Sequence, residues 1–164
     1  MQNVILRTMT PAEYRAATEH REAESVRVLS RLMPEEQARE RVAQGTTSYL
    51  PDGVDTSGHH LVTAENEAGE PVGNAWIGPA PTRSSAASNT STVALLYDIN
   101  VFEPFRRHGY GTAILAAAEK LIAAEGMTAL TLNVVGDNEA AIALYRRSGY
   151  EVTAMSMRKE IKEP

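Results

Sequence analysis

One strand–loop–helix unit in the middle of the chain constrains the fold more than any other feature of the sequence. Apolar side chains alternate along one face over Val93–Val101, which predicts a strand. Pro104 ends this strand because it has no N–H to donate to a neighbouring strand. After Gly109 the apolar residues take on helical spacing, and Gly126 fits the left-handed position just beyond the last turn of a helix.

The loop between this strand and this helix combines arginines with glycines. Glycines lack the Cβ atoms that would keep a bulky anion away from the backbone, and the helix start directs unpaired N–H groups and a positive dipole end to the same place. These features predict a cradle for phosphate or pyrophosphate. The alternative is an ordinary loop with solvated arginines. The residues of the predicted cradle are Arg106, Arg107, His108, Gly109, Tyr110, Gly111 and Thr112.

The glycine spacing of this loop excludes two well-known phosphate cradles. It matches neither the G-x-x-x-x-G-K-[ST] of nucleoside-triphosphate P-loops nor the G-x-G-x-x-G of dinucleotide folds. It resembles the acyl-coenzyme A signature of the GNAT N-acetyltransferase superfamily, R/Q-x-x-G-x-G/A, which reads here Arg106-x-x-Gly109-x-Gly111. A second GNAT segment, N-x-x-A-x-x-L-Y-x-x-x-G-F/Y, is matched from Asn138 to Tyr150, and the two segments occur in the order typical of the family.

The remaining periodicity predicts a single domain over residues 1–164, with elements in the GNAT order β-α-α-β-β-β-α-β-α-β. A crossover through the central helix makes the fourth and fifth strands parallel, and the resemblance implies that they splay apart in an α/β (α+β mixed) sheet. Before the central unit the sequence predicts a strand at Val4–Met9 and a helix from Pro11 to about Leu32, with Thr10 as its N-cap and a polar stretch, Glu19–Glu24, that permits a break. These are followed by a helix from Pro34 to Gly45, strands at His59–Ala64 and Pro71–Gly78, and a mobile loop at Pro79–Ser91. The segments after it are a strand at Ala129–Val135, a helix at Glu139–Ser148 and a final extended segment at Tyr150–Ile161.

Composition excludes several classes of function. The chain has no cysteine, which rules out disulfides, thiolate metal sites and cysteine nucleophiles. His59 and His60 are adjacent on a strand and point to opposite faces, so they cannot chelate one ion together, and we expect no metal. A net charge of −5 argues against a nucleic-acid partner. No apolar run reaches membrane-spanning length, so we expect no membrane partner and a cytoplasmic location.

The resemblance implies acetyl-CoA as co-substrate and a primary amine that attacks the thioester directly in a ternary complex. The cradle would hold the pyrophosphate, and the strand residues Ile99, Asn100 and Val101 would contact the pantetheine arm as an added strand. Asn138 would bond the same arm, although it could also be a helix N-cap. Tyr145 would be the general acid beside the CoA sulfur, with a core aromatic as the alternative.

The general base and the acceptor stay open at this stage. Some relatives carry Glu in the middle of the fifth strand, where this chain has Asn133. Asp98 is preferred to Glu103 because Glu103 is expected to face solvent beside Pro104, and a water chain is an equal alternative. The short final segment favours either an open site that accepts a peptide or protein amine or a site completed by the second subunit of a homodimer. The competing acceptor is a small polyamine-like amine, an amino-sugar or an antibiotic amine drawn by the acidic surface. A non-catalytic acyl-CoA-binding sensor is the competing function.

Overall fold

A computed structural model describes residues 1–81 and 92–162, so most of the expected Pro79–Ser91 loop lies outside the described residues. The chain divides into two compact units, Met1–Asn133 and Val134–Pro164. The elements of the first unit are β1 (Ile5–Thr8), α1 (Pro11–Leu29), α2 (Glu35–Tyr49), β2 (His60–Glu65), β3 (Pro71–Pro79), β4 (Val93–Val101), α3 (Tyr110–Ala124) and β5 (Ala129–Leu132). The second unit contains α4 (Glu139–Arg147). Within the described ranges, no helix combines the length and the apolar character needed to cross a membrane.

The sheet follows chain order, β1-β2-β3-β4-β5. Neighbours from β1 to β4 are antiparallel, whereas β4 and β5 are parallel, as the crossover through α3 predicts. The parallel ladder joins Val93–Leu96 to Ala129–Leu132 and then ends, because β5 ends at Leu132. The second half of β4, Tyr97–Val101, is therefore paired with β3 but not with β5.

Helices cover both faces of the sheet. α3 buries the apolar side chains that its spacing predicts, including Ile114 and Leu115. Gly73 permits this close approach, because a Cβ atom there would lie 2.8 Å from Ile114 Cδ1. Since side chains alternate along a strand, Trp76 points to the opposite face from Gly73. On that face a core cluster joins Trp76 to α1 and β2, and its buried members are Met9, Ala17, Leu50, Leu61 and Trp76.

The start of α1 is fixed by a polar network. Thr10 is the N-cap, as predicted, and it exchanges hydrogen bonds with Glu13 in a capping box. Arg7 on β1 donates to both oxygens of Glu13 and also to Glu65 on β2. The Arg7 guanidinium therefore links α1 to β1 and β2 of the sheet. α1 then runs without a break through Glu19–Glu24, so the break that the polarity of this stretch permits does not occur.

The sequence-based end of α2 at Gly45 is wrong. The helix continues to Tyr49, and Leu50 donates its N–H to Thr46 just beyond it. Leu50 is buried in the core cluster, and Tyr49 contacts the rings of Trp76 and Tyr97. These tertiary contacts keep the last turn helical despite the low helix propensity of glycine.

The expected final strand at Tyr150–Ile161 is also absent from the structure. Residues 150–162 belong to no strand, and their apolar side chains Val152, Met155, Met157 and Ile161 are exposed. Alternating apolar residues form a strand only where a neighbouring strand accepts their backbone hydrogen bonds. Sequence alternation alone does not supply that neighbour. The described order therefore ends at α4.

The Arg7–Glu13 pair generates a prediction about stability and pH. Hydrogen bonds from Arg7 lower the pKa of the Glu13 carboxyl to about 2, against a smaller opposing effect of burial. Replacing Glu13 by Gln retains an acceptor for the capping box but removes the charge, and we expect a loss of about 1 kcal/mol in the free energy of unfolding at pH 7. Because the folded-state pKa lies below the ordinary value of 4.5, this contribution is present above about pH 4.5 and is lost as the pH falls towards 2.

Urea unfolding of both proteins between pH 7 and 3 checks this expectation, and the difference between them should narrow below pH 4.5. Glu24→Gln is the matched control, because Glu24 forms an ion pair with the neighbouring Arg27 in which both side chains are more than half exposed. It should change the free energy of unfolding by less than about 0.5 kcal/mol. A Glu13→Gln effect that stays constant with pH would contradict the electrostatic account.

Candidate functional site

The unpaired half of β4 presents backbone hydrogen-bonding groups along one edge. The N–H of Phe102, just after β4, donates to the carbonyl of Val72 at 2.9 Å. Backbone groups alternate sides along a strand, so Asn100 shares this direction towards β3, and Ile99 and Val101 point to the other side. β5 does not reach these residues. An extended ligand with amide groups could therefore pair with Ile99 and Val101 as a strand would.

The loop after β4 brings together all the residues of the predicted cradle. Gly109 is the N-cap of α3 with a left-handed φ of 85°, and Arg107 has a φ of 60°. The first helical hydrogen bond runs from Ala113 N–H to the Gly109 carbonyl at 3.2 Å. The N–H groups of the three intervening residues precede that bond, and the N-cap glycine offers them no side-chain hydrogen bond. These residues are Tyr110, Gly111 and Thr112.

The cradle loop contacts β4 through a side chain, and a cleft adjoins the loop. Arg106 Nε donates to the Val101 carbonyl at 2.9 Å, and this contact links the loop to the free edge of β4. A cleft of about 410 Å³ adjoins the loop. The residues that line it include His108, Thr112 and Lys120, together with residues 1–4. The start of α3 suits an anionic ligand, because N–H groups without an intrahelical partner and the positive end of the helix dipole lie there.

Asp98 lies on the face of β4 that α1 covers. Its cross-strand partner is Trp76, and the next pair is Ile77 with Leu96, so Tyr97 is the extra residue of a β-bulge. Burial raises the pKa of the Asp98 carboxyl above its usual value, and the charges of Arg21 and His20 lower it by a smaller amount. The carboxylate is consequently a stronger base than an exposed aspartate.

Beside Asp98 lies a cluster of ring side chains, which we call the aromatic wall. It consists of Tyr49, His59, Trp76 and Tyr97. Trp76 and Tyr97 stack with ring centroids 4.3 Å apart, and Tyr49 contacts both rings edge-on. His59 Nδ1 accepts a hydrogen bond from the Trp76 indole N–H at 2.9 Å. Burial lowers the pKa of His59, and an accepting Nδ1 requires the neutral ring with its proton on Nε2. His59 therefore orients the indole.

Arg21 is a functional candidate that the sequence-based prediction missed. It extends from α1 and places its guanidinium carbon 4.6 Å from the Trp76 ring centroid. A signal for it was present: Tyr14, Ala17 and Arg21 share the inward helical face, so a cation interrupts an otherwise apolar stripe. Glu103, the less favoured base candidate, is exposed, as expected from the sequence.

The second predicted motif lies in the second unit. Asn138 is the N-cap of α4, and its Oδ1 accepts a hydrogen bond from Ala141 N–H at 3.2 Å. The Tyr145 ring contacts Tyr150 edge-on, with centroids 5.8 Å apart. Gly149 takes the left-handed conformation beyond the helix, with a φ of 89°. The cap function of Asn138 is thus observed, and the roles of Asn138 and Tyr145 towards a ligand stay predictions.

Comparisons with known proteins agree with this architecture. A family model described as "Acetyltransferase (GNAT) family" matches residues 19–150. The uncharacterized N-acetyltransferase YycN of Bacillus subtilis (strain 168) is 29% identical over 162 residues, which cover 96% of this chain and 99% of YycN. The crystal structure of YycN from Bacillus subtilis aligns with a TM-score of 0.86 at 27% identity, covering 98% of this chain and 100% of that one. These matches confirm the predicted α/β GNAT fold.

A more distant solved structure shares the fold. AAC(6')-Iy, in complex with the bisubstrate analog CoA-S-monomethyl-acetylneamine, aligns with a TM-score of 0.60 at 15% identity. The alignment covers 98% of this chain and 99% of AAC(6')-Iy. At this level of identity the likeness is one of fold.

The geometry of the cradle predicts opposite effects for two glycine substitutions. Gly109→Ala forces an L side chain into a φ of 85°, and we expect it to lower the free energy of unfolding by about 1 kcal/mol. Gly45→Ala is the matched control, because Gly45 lies inside α2 and a Cβ there would meet nothing within 4 Å. It should raise the free energy of unfolding by about 0.5–1 kcal/mol. Urea unfolding measures both, and a stabilising Gly109→Ala would contradict the assigned cap.

Proposed function

Because this chain belongs to the GNAT family of acetyltransferases, we propose that it transfers the acetyl group of acetyl-CoA to a primary amine that attacks the thioester directly. The relatives are named N-acetyltransferases, so an enzymatic activity of this class is the starting point. One observation supports this mechanism above the others. The free edge of β4 leads directly into a cradle at the start of α3, so one continuous stretch offers both a strand edge and an anion site.

The cofactor would lie along this stretch. The pyrophosphate is assigned to the N–H groups of Tyr110, Gly111 and Thr112, with Arg107 and His108 beside it. The pantetheine amides would pair with Ile99 and Val101, whose backbone groups point away from β3. Its thioester would then reach the middle of β4, where a backbone N–H could donate to the developing oxyanion. The CoA moiety supplies a thiol leaving group of moderate basicity.

Two side chains are assigned to proton transfer. Asp98 would accept the proton that the amine loses as it attacks, because its raised pKa makes it a competent base beside the middle of β4. Tyr145 would protonate the departing sulfur, an assignment that depends on the family motif it occupies. As nitrogen bonds to the acetyl carbon, the carbon–sulfur bond breaks and its electron pair goes to sulfur. The products are an amide and CoA thiol.

Acetyl-CoA turnover over a panel of amines tests the proposed function. We expect thiol release that rises with amine concentration and saturates, together with a matching amount of acetylated amine by mass spectrometry. Calorimetry with CoA provides the binding control, because it shows whether the cofactor site is formed. CoA binding without amine-dependent thiol release would contradict the transferase and favour a non-catalytic acyl-CoA-binding module.

Substitution of Asp98 tests the assigned base. Asp98→Asn preserves the size of the side chain but cannot take up the proton, so kcat/KM should fall by about 100-fold or more while the Kd for CoA stays unchanged. Glu103→Gln removes an exposed acid at the exit of β4, and it should leave kcat/KM within about twofold of the wild-type value. An active Asp98→Asn enzyme would remove Asp98 from the mechanism.

A further inference from the structure

Two opposite charges lie on the same face of the sheet, near the same indole ring, in the first unit. Arg21 lies over Trp76, and Asp98 is the cross-strand partner of Trp76. We infer that this pair recognises an acceptor that carries both an amine and a nearby carboxylate, as an α-amino acid does. Arg21 binds the carboxylate, and Asp98 faces the amine. This inference builds on the proposed acetyl transfer and names the substrate class of that same site.

The guanidinium of Arg21 has N–H donors that could bind a ligand. Its hydrogen bond within the described residues is a long one, 3.4 Å to Thr18 Oγ1. No carboxylate oxygen of those residues lies within the 4.0 Å of an ion pair with Arg21. The side chain is nevertheless half-buried, and this burial lowers the pKa of Arg21. A partly desolvated guanidinium with free donors is suited to a two-point contact with a carboxylate.

Asp98 supplies the complementary charge at a distance. It attracts Arg21 electrostatically without forming an ion pair with it. Two half-buried opposite charges that do not meet are each stabilised by a ligand with the reverse polarity. An amino carboxylate has this polarity. It would place its amine at the residue assigned as the base.

The same charges disfavour the other acceptors that the sequence left open. A polyamine would bring additional positive charge towards Arg21, and like charges repel most strongly where water is partly excluded. A peptide N-terminus has no carboxylate next to its amine unless its first side chain is acidic. The aromatic wall adds an apolar surface, because Tyr49 is 44% exposed beside Trp76 and Tyr97. An apolar amino acid side chain could pack there.

Matched substrates test this inference in the protein of residues 1–164. Acetyl-CoA turnover is compared for phenylalanine, phenylalanine amide and phenethylamine, which keep the amine and the ring but differ in the carboxylate. The wild-type kcat/KM for phenylalanine should exceed that for each of the other two compounds by about tenfold or more, because one charged two-point contact contributes a free energy of that order. Equal kcat/KM values for the three compounds would overturn the inference while leaving the acetyl transfer intact.

Variants of Arg21 give the second readout. Arg21→Gln should lower kcat/KM for phenylalanine by about 10- to 100-fold, mainly through KM, and change that for phenethylamine by less than about threefold. Arg21→Lys should recover part of the loss, because it keeps the charge but not the fork. Arg15→Gln, on the exposed side of the same helix, is the control and should match the wild type.

The outcomes distinguish a failure of the proposed acetyl transfer from a failure of the inferred substrate class. If all variants bind CoA by calorimetry and no amine of any kind releases thiol, the proposed acetyl transfer fails. If Arg21→Gln and Arg21→Lys lower turnover of phenylalanine and phenethylamine equally, Arg21 has only a structural role and the substrate class is wrong. Selective loss with phenylalanine and partial recovery by Lys supports the inference.

Discussion

The limited pairing between β4 and β5 is the constraint on which the site depends. The parallel ladder covers Val93–Leu96 and stops, so Tyr97–Val101 keeps its ladder with β3 and pairs with no described strand on the other side. A backbone edge of this kind needs hydrogen-bonding partners, which water or an extended ligand can provide. The other parts of the site depend on this limited pairing. The cradle follows the free half of β4 in the chain, and the assigned base, Asp98, lies within that half.

The two faces of β4 have different roles in the proposed site. On one face, α3 packs closely against β3 through Gly73 and Ile114, which fixes where the helix begins and hence where the cradle lies. On the other face, α1 places Arg21 over the Trp76 ring, and α2 places Tyr49 against Trp76 and Tyr97. The bulge at Tyr97 increases the local twist at the junction between the paired and free halves. One strand thus links a proposed cofactor edge to a proposed acceptor face.

Local sequence signals predicted the parts of the structure that depend on local physics. The limits of β4, the crossover to β5, the Thr10 cap and the glycine-containing loop were all predicted, because periodicity, proline and capping act over a few residues. The parts that depend on tertiary contacts were not predicted. α2 passes through Gly45 because Leu50 is buried, and the final strand is absent because alternation does not create a neighbour. Arg21 was missed because only the assembled sheet places Trp76 beneath it.

Amide hydrogen exchange with and without CoA tests the central claim most directly, because that claim concerns backbone groups. If the free edge of β4 and the start of α3 form the cofactor site, CoA should slow exchange at Ile99, Val101 and Tyr110–Thr112 and leave β1 and β2 unchanged. Saturable CoA binding with no added protection in these residues would contradict the account.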